Sequence, residues 1–278
     1  MKKFIQYSAV ALMLFPTLGV ANDLNAGIAA YESGDYASAL EELRPLAEQG
    51  NAEAQYTLGF MYNRGRGVRS NGVEALEWWH RAAEQNHAGA LYKIGDVYHN
   101  SMNDAFWGIE RSREEASEWY ILAAGEGSIE AMIQLSNMAP FTSEGVKWNR
   151  LAAEEGDAEA QHKLGRRYQH GWGVPTDRVE AIKWFRLAAA QEYTEALFAL
   201  GAQYEFGSGV DQDNTTAYMW YTIGEATSDM TSSNKSDLEE VMSEEAKAEA
   251  EERASVCMSS NYQQGCEEAA DEEHVSTQ

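Results

Sequence analysis

Ser232 and Lys235 stand at the S-x-x-K spacing, in which a lysine amine activates a serine hydroxyl for acyl transfer. The companion S-D-N and K-T-G motifs of the serine β-lactamases are missing, and the match lies in the polar stretch Met230 to Lys235. Two common residues at a fixed spacing recur by chance about once in a chain of this size. Asp211, Asp213 and Thr215 begin like a calcium loop. Its sixth position is Thr216 rather than Gly and its twelfth is Thr222 rather than Glu, so the pattern fails. The six histidines are scattered; His80 and His87 straddle a helix end and read as surface or capping residues. There is no H-E-x-x-H, no P-loop and no G-x-G-x-x-G, since Gly65-x-Gly67 runs on into Val68-Arg69-Ser70. These residues assign no catalytic group, metal or cofactor. The candidates left for binding are three aromatics outside any regular pattern, Phe106, Trp107 and Trp172, and a basic run, Arg64, Arg66 and Arg69.

The whole chain narrows the classes further. Its 278 residues carry 45 acids against 21 Lys and Arg, a net charge of −24. A binder of nucleic acid or anionic headgroups needs the opposite surplus, so neither is expected as a partner. At the N-terminus Lys2 and Lys3 precede a run without charge to Val20. Val10 to Phe15 forms an apolar core, and Gly19-Val20-Ala21 places small residues before Asn22. That is the pattern of a cleaved secretory signal over 1–21, predicting a periplasmic or secreted protein that does not span the membrane after cleavage. Pro16 and Gly19 interrupt the run, and it falls short of the roughly 20 apolar residues a spanning helix wants.

A repeat of about 36 residues organises the rest. Three stretches superimpose without gaps: Ala54 to Trp78-Trp79, Ala160 to Trp184-Phe185, and Ala196 to Trp220-Tyr221. Each has Leu-Gly, then Tyr62, Tyr168 or Tyr204, then Gly-x-Gly-Val, then Ala75, Ala181 or Ala217. Two degenerate copies run Ile94-Gly95 to Trp119-Tyr120 and Leu135 to Trp148. A front copy over Ala26 to Ala47 lacks the glycine loop and turns at Ser33-Gly34-Asp35. Small residues at Leu-Gly and Ala-Ala let helix backbones approach, while Leu, Tyr and Trp fill the seam. The paired glycines allow positive φ between the helices. Trp78, Trp119, Trp148, Trp184 and Trp220 are expected to share one core position.

The signature A-x-A-x-x-x-L-G-x-x-Y-x-x-G-x-G-V…A-x-x-W-[WFY]-x-x-A-A resembles the Sel-one-like repeat (SLR) family, a branch of the tetratricopeptide-type α-solenoids. The resemblance covers about three-quarters of the chain. It implies an all-α, right-handed α-solenoid of stacked helix-turn-helix repeats and a scaffold that binds other proteins or envelope components, without catalysis. The implied layout is an N-terminal TPR-like pair at 22–51, then repeats at 52–87, 88–128, 129–157, 158–193 and 194–229. A linker and capping helix follow at 230–258, with an acidic tail at 259–278. One cysteine-rich branch of the family is linked to β-lactam binding. That branch carries a Cys pair in each repeat, and the repeats here carry none.

Spacing between repeats is constant: 16 residues separate each Trp position from the next Leu position. Within a repeat, Leu to Trp is 20 in the three regular copies, 25 in the second and 13 in the third. All length variation therefore falls in the loop inside a repeat, which in solenoids commonly forms the binding face. The long loop, His99 to Arg113, carries Phe106 and Trp107, and the shortened repeat after it should leave a notch. The two aromatics read either as interface anchors with Trp172 or as a plug for that notch. The basic run could hold a carboxylate, with solvated charge the plainer reading.

Ser236-Asp237-Leu238-Glu239 reads as a capping box opening the last helix. One face of that helix, including Leu238, Val241, Ala250, Ala254 and Cys257, suits closing the array. The other carries Glu240, Glu244, Glu245, Glu249, Glu251 and Glu252, a solvated face or a site for cations or a basic partner. In an exported protein Cys257 and Cys266 are expected to be bonded, stapling the tail to the cap. The functional expectation is a non-catalytic adaptor for protein partners in the cell envelope. Binding of an envelope glycan or peptidoglycan fragment is the alternative, and β-lactam interaction the last.

Overall fold

The structure, a computed structural model, describes residues 23–100, 104–260, 262 and 266. The expected leader at 1–21 and the acidic residues from 267 onward lie outside them. The described residues contain helices and turns and no strand. They divide after Ala82 into two compact units. The first holds α1 (Leu24–Ser33), α2 (Tyr36–Glu48), α3 (Ala52–Arg64) and most of α4 (Gly72–Ala83). The second holds α5 (Ala88–Asn100), the short α6 (Asp104–Trp107), α7 (Arg113–Gly125), α8 (Ile129–Met138) and α9 (Ser143–Glu154). It continues with α10 (Ala158–His170), α11 (Arg178–Ala189), α12 (Thr194–Glu205), α13 (Asn214–Ala226), α14 (Ser233–Val241) and α15 (Glu244–Ser259). Within it α5 packs on α7, α8 on α9, α10 on α11 and α12 on α13, and each second helix packs on the first helix of the next pair. This is the α-solenoid expected from the repeat.

Local chemistry starts and stops these helices. Asp23, Asp35, Asn51, Ser112, Ser128, Thr142, Asp157, Asp177 and Asp213 each accept a backbone N–H of the first turn through the side chain. Gly65 and Gly171 end α3 and α10 in the left-handed conformation. The second loop glycine has another reason to lack a side chain. A Cβ on Gly173, at φ 72°, would sit 2.6 Å from the Thr142 carbonyl oxygen at the start of α9, so the loop lies against the preceding pair.

The core is built one position later than the sequence pattern indicates. Trp78 and Trp220 are buried, but Trp119, Trp148 and Trp184 are only half-buried. The sealed position is the next residue: Trp79, Tyr120, Phe185 and Tyr221, none more than 2% exposed. Each of these rings lies on the glycine of Leu-Gly, or of Ile94-Gly95 in the second repeat, in its own pair. A Cβ on Gly165 would be 2.6 Å from Phe185 Cε1 and one on Gly95 would be 2.8 Å from Tyr120 Cδ1; Gly59 meets Trp79 and Gly201 meets Tyr221 in the same way. A tryptophan at the first position varies from buried to half-buried. The Trp184 indole N–H donates to Glu180 at 3.0 Å.

The expected single capping helix is two. Ser232, not Ser236, caps α14, accepting from the Lys235 N–H, and Ser243 caps α15 after a break at Met242. Leu238, Ala250, Ala254 and Cys257 are buried, as the apolar face requires, but Val241 is exposed at the break. Cys257 and Cys266 pair with their Cα atoms 4.8 Å apart.

The third repeat has a close backbone approach of its own. Gly145 stands where the other four repeats have Ala75, Ala116, Ala181 and Ala217, and a Cβ there would fall on the Ala139 carbonyl oxygen. Gly145→Ala, although it restores the residue of the other repeats, is expected to destabilise the second unit by about 2 kcal/mol or more through backbone displacement. Gly125→Ala, at the end of α7 with nothing within 4 Å of the added carbon, should be neutral or stabilise by up to about 1 kcal/mol. Urea midpoints of the two variants check the pair.

His162 occupies the aromatic position held by Tyr56, Tyr92 and Phe198 in other repeats, with its ring 5.7 Å from Phe185 and 5.4 Å from Tyr193. Burial first, then the Arg166 and Lys163 charges, lower its pKa from 6.5 to about 4, against the opposing pull of Glu195 and Glu159. Between those values the unfolded chain binds the proton and the folded chain does not. His162 therefore removes stability as pH falls from about 6.5 to about 4. The difference in urea midpoint between His162→Phe and wild type should grow in favour of the variant across that window and stay flat above pH 7.

Candidate interaction surface around the third repeat

The third repeat breaks the glycine-on-ring contact on both sides. Ser136 replaces the glycine and Asn149 replaces the ring, and both are at most 2% exposed. Asn149 turns its amide away to donate to the Ala160 carbonyl at 2.8 Å. The shorter loop also shortens α8 to 10 residues against 13 for α10, so its last carbonyls emerge between the neighbouring pairs. Two guanidiniums meet them. Arg113, at the start of α7, donates to the Met138 carbonyl. Arg167, from α10 and only 6% exposed, donates to the Pro140 carbonyl at 2.6 Å and to the Ser136 hydroxyl at 2.8 Å. Burial pushes the Arg167 pKa below the usual guanidinium value, and the positive end suits a helix C-terminus. The matching residues in other repeats, Met61, Val97 and Gln203, carry no charge.

Beside this clamp lies an aromatic patch. Phe141, in the shortened loop, is 67% exposed, and its ring meets Trp172 edge-on at 5.9 Å. Trp172 is stacked on His170 at 4.6 Å, with the Arg166 guanidinium 5.3 Å above its ring. Burial and then the Arg166 charge hold the His170 pKa below its ordinary value. Sequence reasoning singled out Trp172 but missed Phe141, His170 and Arg166. The available signal was a Pro-Phe pair placed in the one loop that is shortened. Phe106 and Trp107 lie on α6, both half-buried, with rings edge-to-face at 4.9 Å. They do not join Trp172, whose ring partners are Phe141 and His170.

The notch is present as two hollows against α8. One, of about 410 Å³, lies between α7 and α9 with the end of α8 as its floor. The other, of about 320 Å³, is lined by His99, Arg111, Arg113, Gln134, Asn137 and Met138. Neither Phe106 nor Trp107 lines either one.

The remaining chemistry-bearing residues are structural. The Ser232 hydroxyl is the cap of α14, and Lys235 Nζ pairs with Glu225 at 2.9 Å, so the S-x-x-K residues do not face one another as nucleophile and base. Asp213 caps α13 rather than opening a calcium loop. His87 Nδ1 accepts from the Ala90 N–H at the start of α5. Arg66 donates to the Tyr31 hydroxyl at 2.9 Å, and its guanidinium packs on Tyr31 and Tyr36, so it is held by aromatics rather than solvated. Among the described residues no three His, Cys, Asp or Glu side chains are arranged to hold a metal. No helix among them is long and apolar enough to cross a membrane.

Stacked helix pairs with a glycine-on-ring seam and variable inner loops define an α-solenoid repeat protein. The Sel1 repeat model matches residues 52–87, 88–128, 129–157, 158–193 and 194–224, more than half of the chain, and the chain belongs to that family. It is similar to c5321, a protective antigen of uropathogenic Escherichia coli with an SLR fold, at 27% identity and a TM-score of 0.69. That match covers 86% of this chain and 53% of the other, so this chain spans about half the length of that relative. It is also similar to a Sel1 repeat protein from Oxalobacter formigenes, at 28% identity and a TM-score of 0.67, over 75% of this chain and 86% of the other.

Arg167→Met should leave the Pro140 carbonyl and Ser136 hydroxyl without their donor. We expect a loss of about 2–4 kcal/mol in urea unfolding, with amide exchange accelerated first in α8. Arg167→Lys, keeping the charge without the fork, should fall between wild type and Met.

Proposed function

We propose that this protein is a non-catalytic scaffold of the cell envelope that holds a protein partner on the surface around its third repeat. The observation that carries the reading is the Phe141–Trp172 pair: an aromatic ring 67% exposed to water, seated against a second ring on an adjoining loop and backed by a buried arginine clamp. Exposed aromatics on a rigid base lose little entropy on binding, and such residues dominate interface energetics. Sel1 repeats point to protein partners, in keeping with that surface. The envelope assignment rests on the N-terminal pattern Lys2-Lys3, Val10 to Phe15 and Gly19-Val20-Ala21. The absence of catalysis rests on the structural roles of Ser232, Lys235 and Asp213.

The test is a cross-linked pull-down from envelope extract, using bait produced with its own leader and shown by intact mass to begin at Asn22. Wild type and Phe141→Ala/Trp172→Ala are compared, both with native melting curves. Specific partners should be lost or reduced about ten-fold in the double variant. Identical partners and yields for the two baits would refute this surface, and bait that keeps Met1–Ala21 in the cytoplasm would refute the envelope assignment.

A further inference from the structure

Three seams between successive helix pairs are closed by the same side-chain link. An arginine on one helix donates to the tyrosine hydroxyl 18 residues later: Arg44 to Tyr62 at 3.2 Å, Arg186 to Tyr204 at 2.9 Å, and Arg150 to Tyr168. The repeat register places Ile121 and Ala139, also 18 apart, at the corresponding positions between the second and third pairs. There the charged head and the phenol ring are replaced by a short aliphatic chain and a methyl group, so the hollow of about 410 Å³ at that spot is lined by apolar side chains, whereas the hollow of about 610 Å³ at the Arg44–Tyr62 seam is lined by the guanidinium and phenol of the link.

The cleft has an apolar floor and an acidic rim. Ile121, 47% exposed, Leu135, Met138, Ala139 and Trp148 line it. Arg113 closes one end, with its guanidinium committed to the Met138 carbonyl. Glu114, Glu118 and Glu144 stand on the rim, all exposed, and among the described residues none of the three makes an ion pair or hydrogen bond. Unpaired carboxylates around an apolar hollow, on a chain of net charge −24, repel acidic segments and draw in basic ones.

The structure assigns this cleft to a partner segment that inserts one large apolar side chain between Ile121 and Ala139 and sets flanking Lys or Arg residues on Glu114, Glu118 and Glu144. The assignment rests on the scaffold reading above and specifies the chemistry of the partner. The apolar residue supplies affinity by leaving water. The flanking cations supply orientation and salt dependence, since exposed ion pairs contribute little on their own.

The probe is a fluorescein-labelled peptide with one leucine flanked on each side by two lysines, read by anisotropy against the full mature chain. We expect saturable binding that weakens with salt, and about ten-fold weaker binding when the leucine is replaced by alanine. The peptide with glutamates in place of lysines should not bind. Ile121→Arg/Ala139→Tyr places the same pair of side chains as at the three linked seams. It should keep the fold and reduce binding about ten-fold or more. Glu114→Gln/Glu118→Gln/Glu144→Gln changes only exposed side chains and should remove the salt dependence. Undiminished binding by the triple glutamine variant, by a folded Ile121→Arg/Ala139→Tyr variant, or of the glutamate peptide would overturn the assignment. If that Arg/Tyr variant still captures the envelope partner in full while Phe141→Ala/Trp172→Ala does not, the cleft assignment fails and the scaffold reading stands.

Discussion

The contact on which each regular repeat depends is a backbone lying directly on an aromatic ring. Where the Leu-Gly or Ile94-Gly95 of the first helix meets Trp79, Tyr120, Phe185 or Tyr221 of the second, no carbon can be added to the glycine without entering the ring. The contact brings the two helices closer than side-chain interdigitation alone allows and leaves the ring sealed from water. It also explains why the first aromatic of each pair is free to vary in exposure. Trp184 and Trp148 lie along the outside of the seam, and losing their full burial costs the repeat little as long as Phe185 is sealed or Asn149 is bonded.

Repeat three shows what the fold does when that contact is given up. Ser136 and Asn149 could not pack as glycine and ring do. Both are buried; the Asn149 amide N–H reaches the Ala160 carbonyl and the Ser136 hydroxyl receives Arg167, while the Asn149 amide oxygen is left without a hydrogen-bond partner. The shortened helix exposes carbonyls that Arg113 and Arg167 then cover from either side. A buried guanidinium is a costly replacement for a methionine or valine unless every donor is used. Arg167 is thus tied to the short loop: restoring a full-length α8 would bury the guanidinium without its acceptors. Loop length, Ser136, Gly145, Asn149 and Arg167 form one linked set of changes.

The repeat itself was legible because helix packing imposes a fixed spacing, and Ala, Leu-Gly, Tyr and paired glycines recur at that spacing in three copies. The sequence pattern missed which of two adjacent aromatics faces the glycine, because Trp-Trp, Trp-Tyr and Trp-Phe pairs are equally apolar and only the helix rotation separates them. It read the front of α14 four residues late, since both Ser232 and Ser236 satisfy a cap and Ser232 wins by pairing its own N–H with Glu225. Arg167 was unreadable for a related reason, and Phe141 was marked only by its place in the shortened loop. An aromatic in a loop and the second of two adjacent arginines in a helix look like surface residues until the shortened loop brings one into the open and the other inside.

The 18-residue arginine–tyrosine link bears on how such a surface arises within a uniform array. A regular seam consumes its own side chains: Arg150 and Arg186 spend their charge on the hydroxyls of the next pair, and little is left to meet a partner. At Ile121 and Ala139 the sequence register is the same, but Ala139 lies just past the end of α8 and neither residue can bridge the seam. The backbone positions are maintained by the neighbouring glycine-on-ring contact of Gly95 and Tyr120 and by the Arg113 bond to Met138, so the hollow does not collapse when the link is lost. What the missing bridge changes is the lining of the hollow, apolar side chains where the Arg44–Tyr62 seam presents a guanidinium and a phenol. The acidic rim then biases the sign of what enters it. Specificity in this array therefore lies in departures from the repeat, and the repeat's constancy is what keeps those departures in fixed positions.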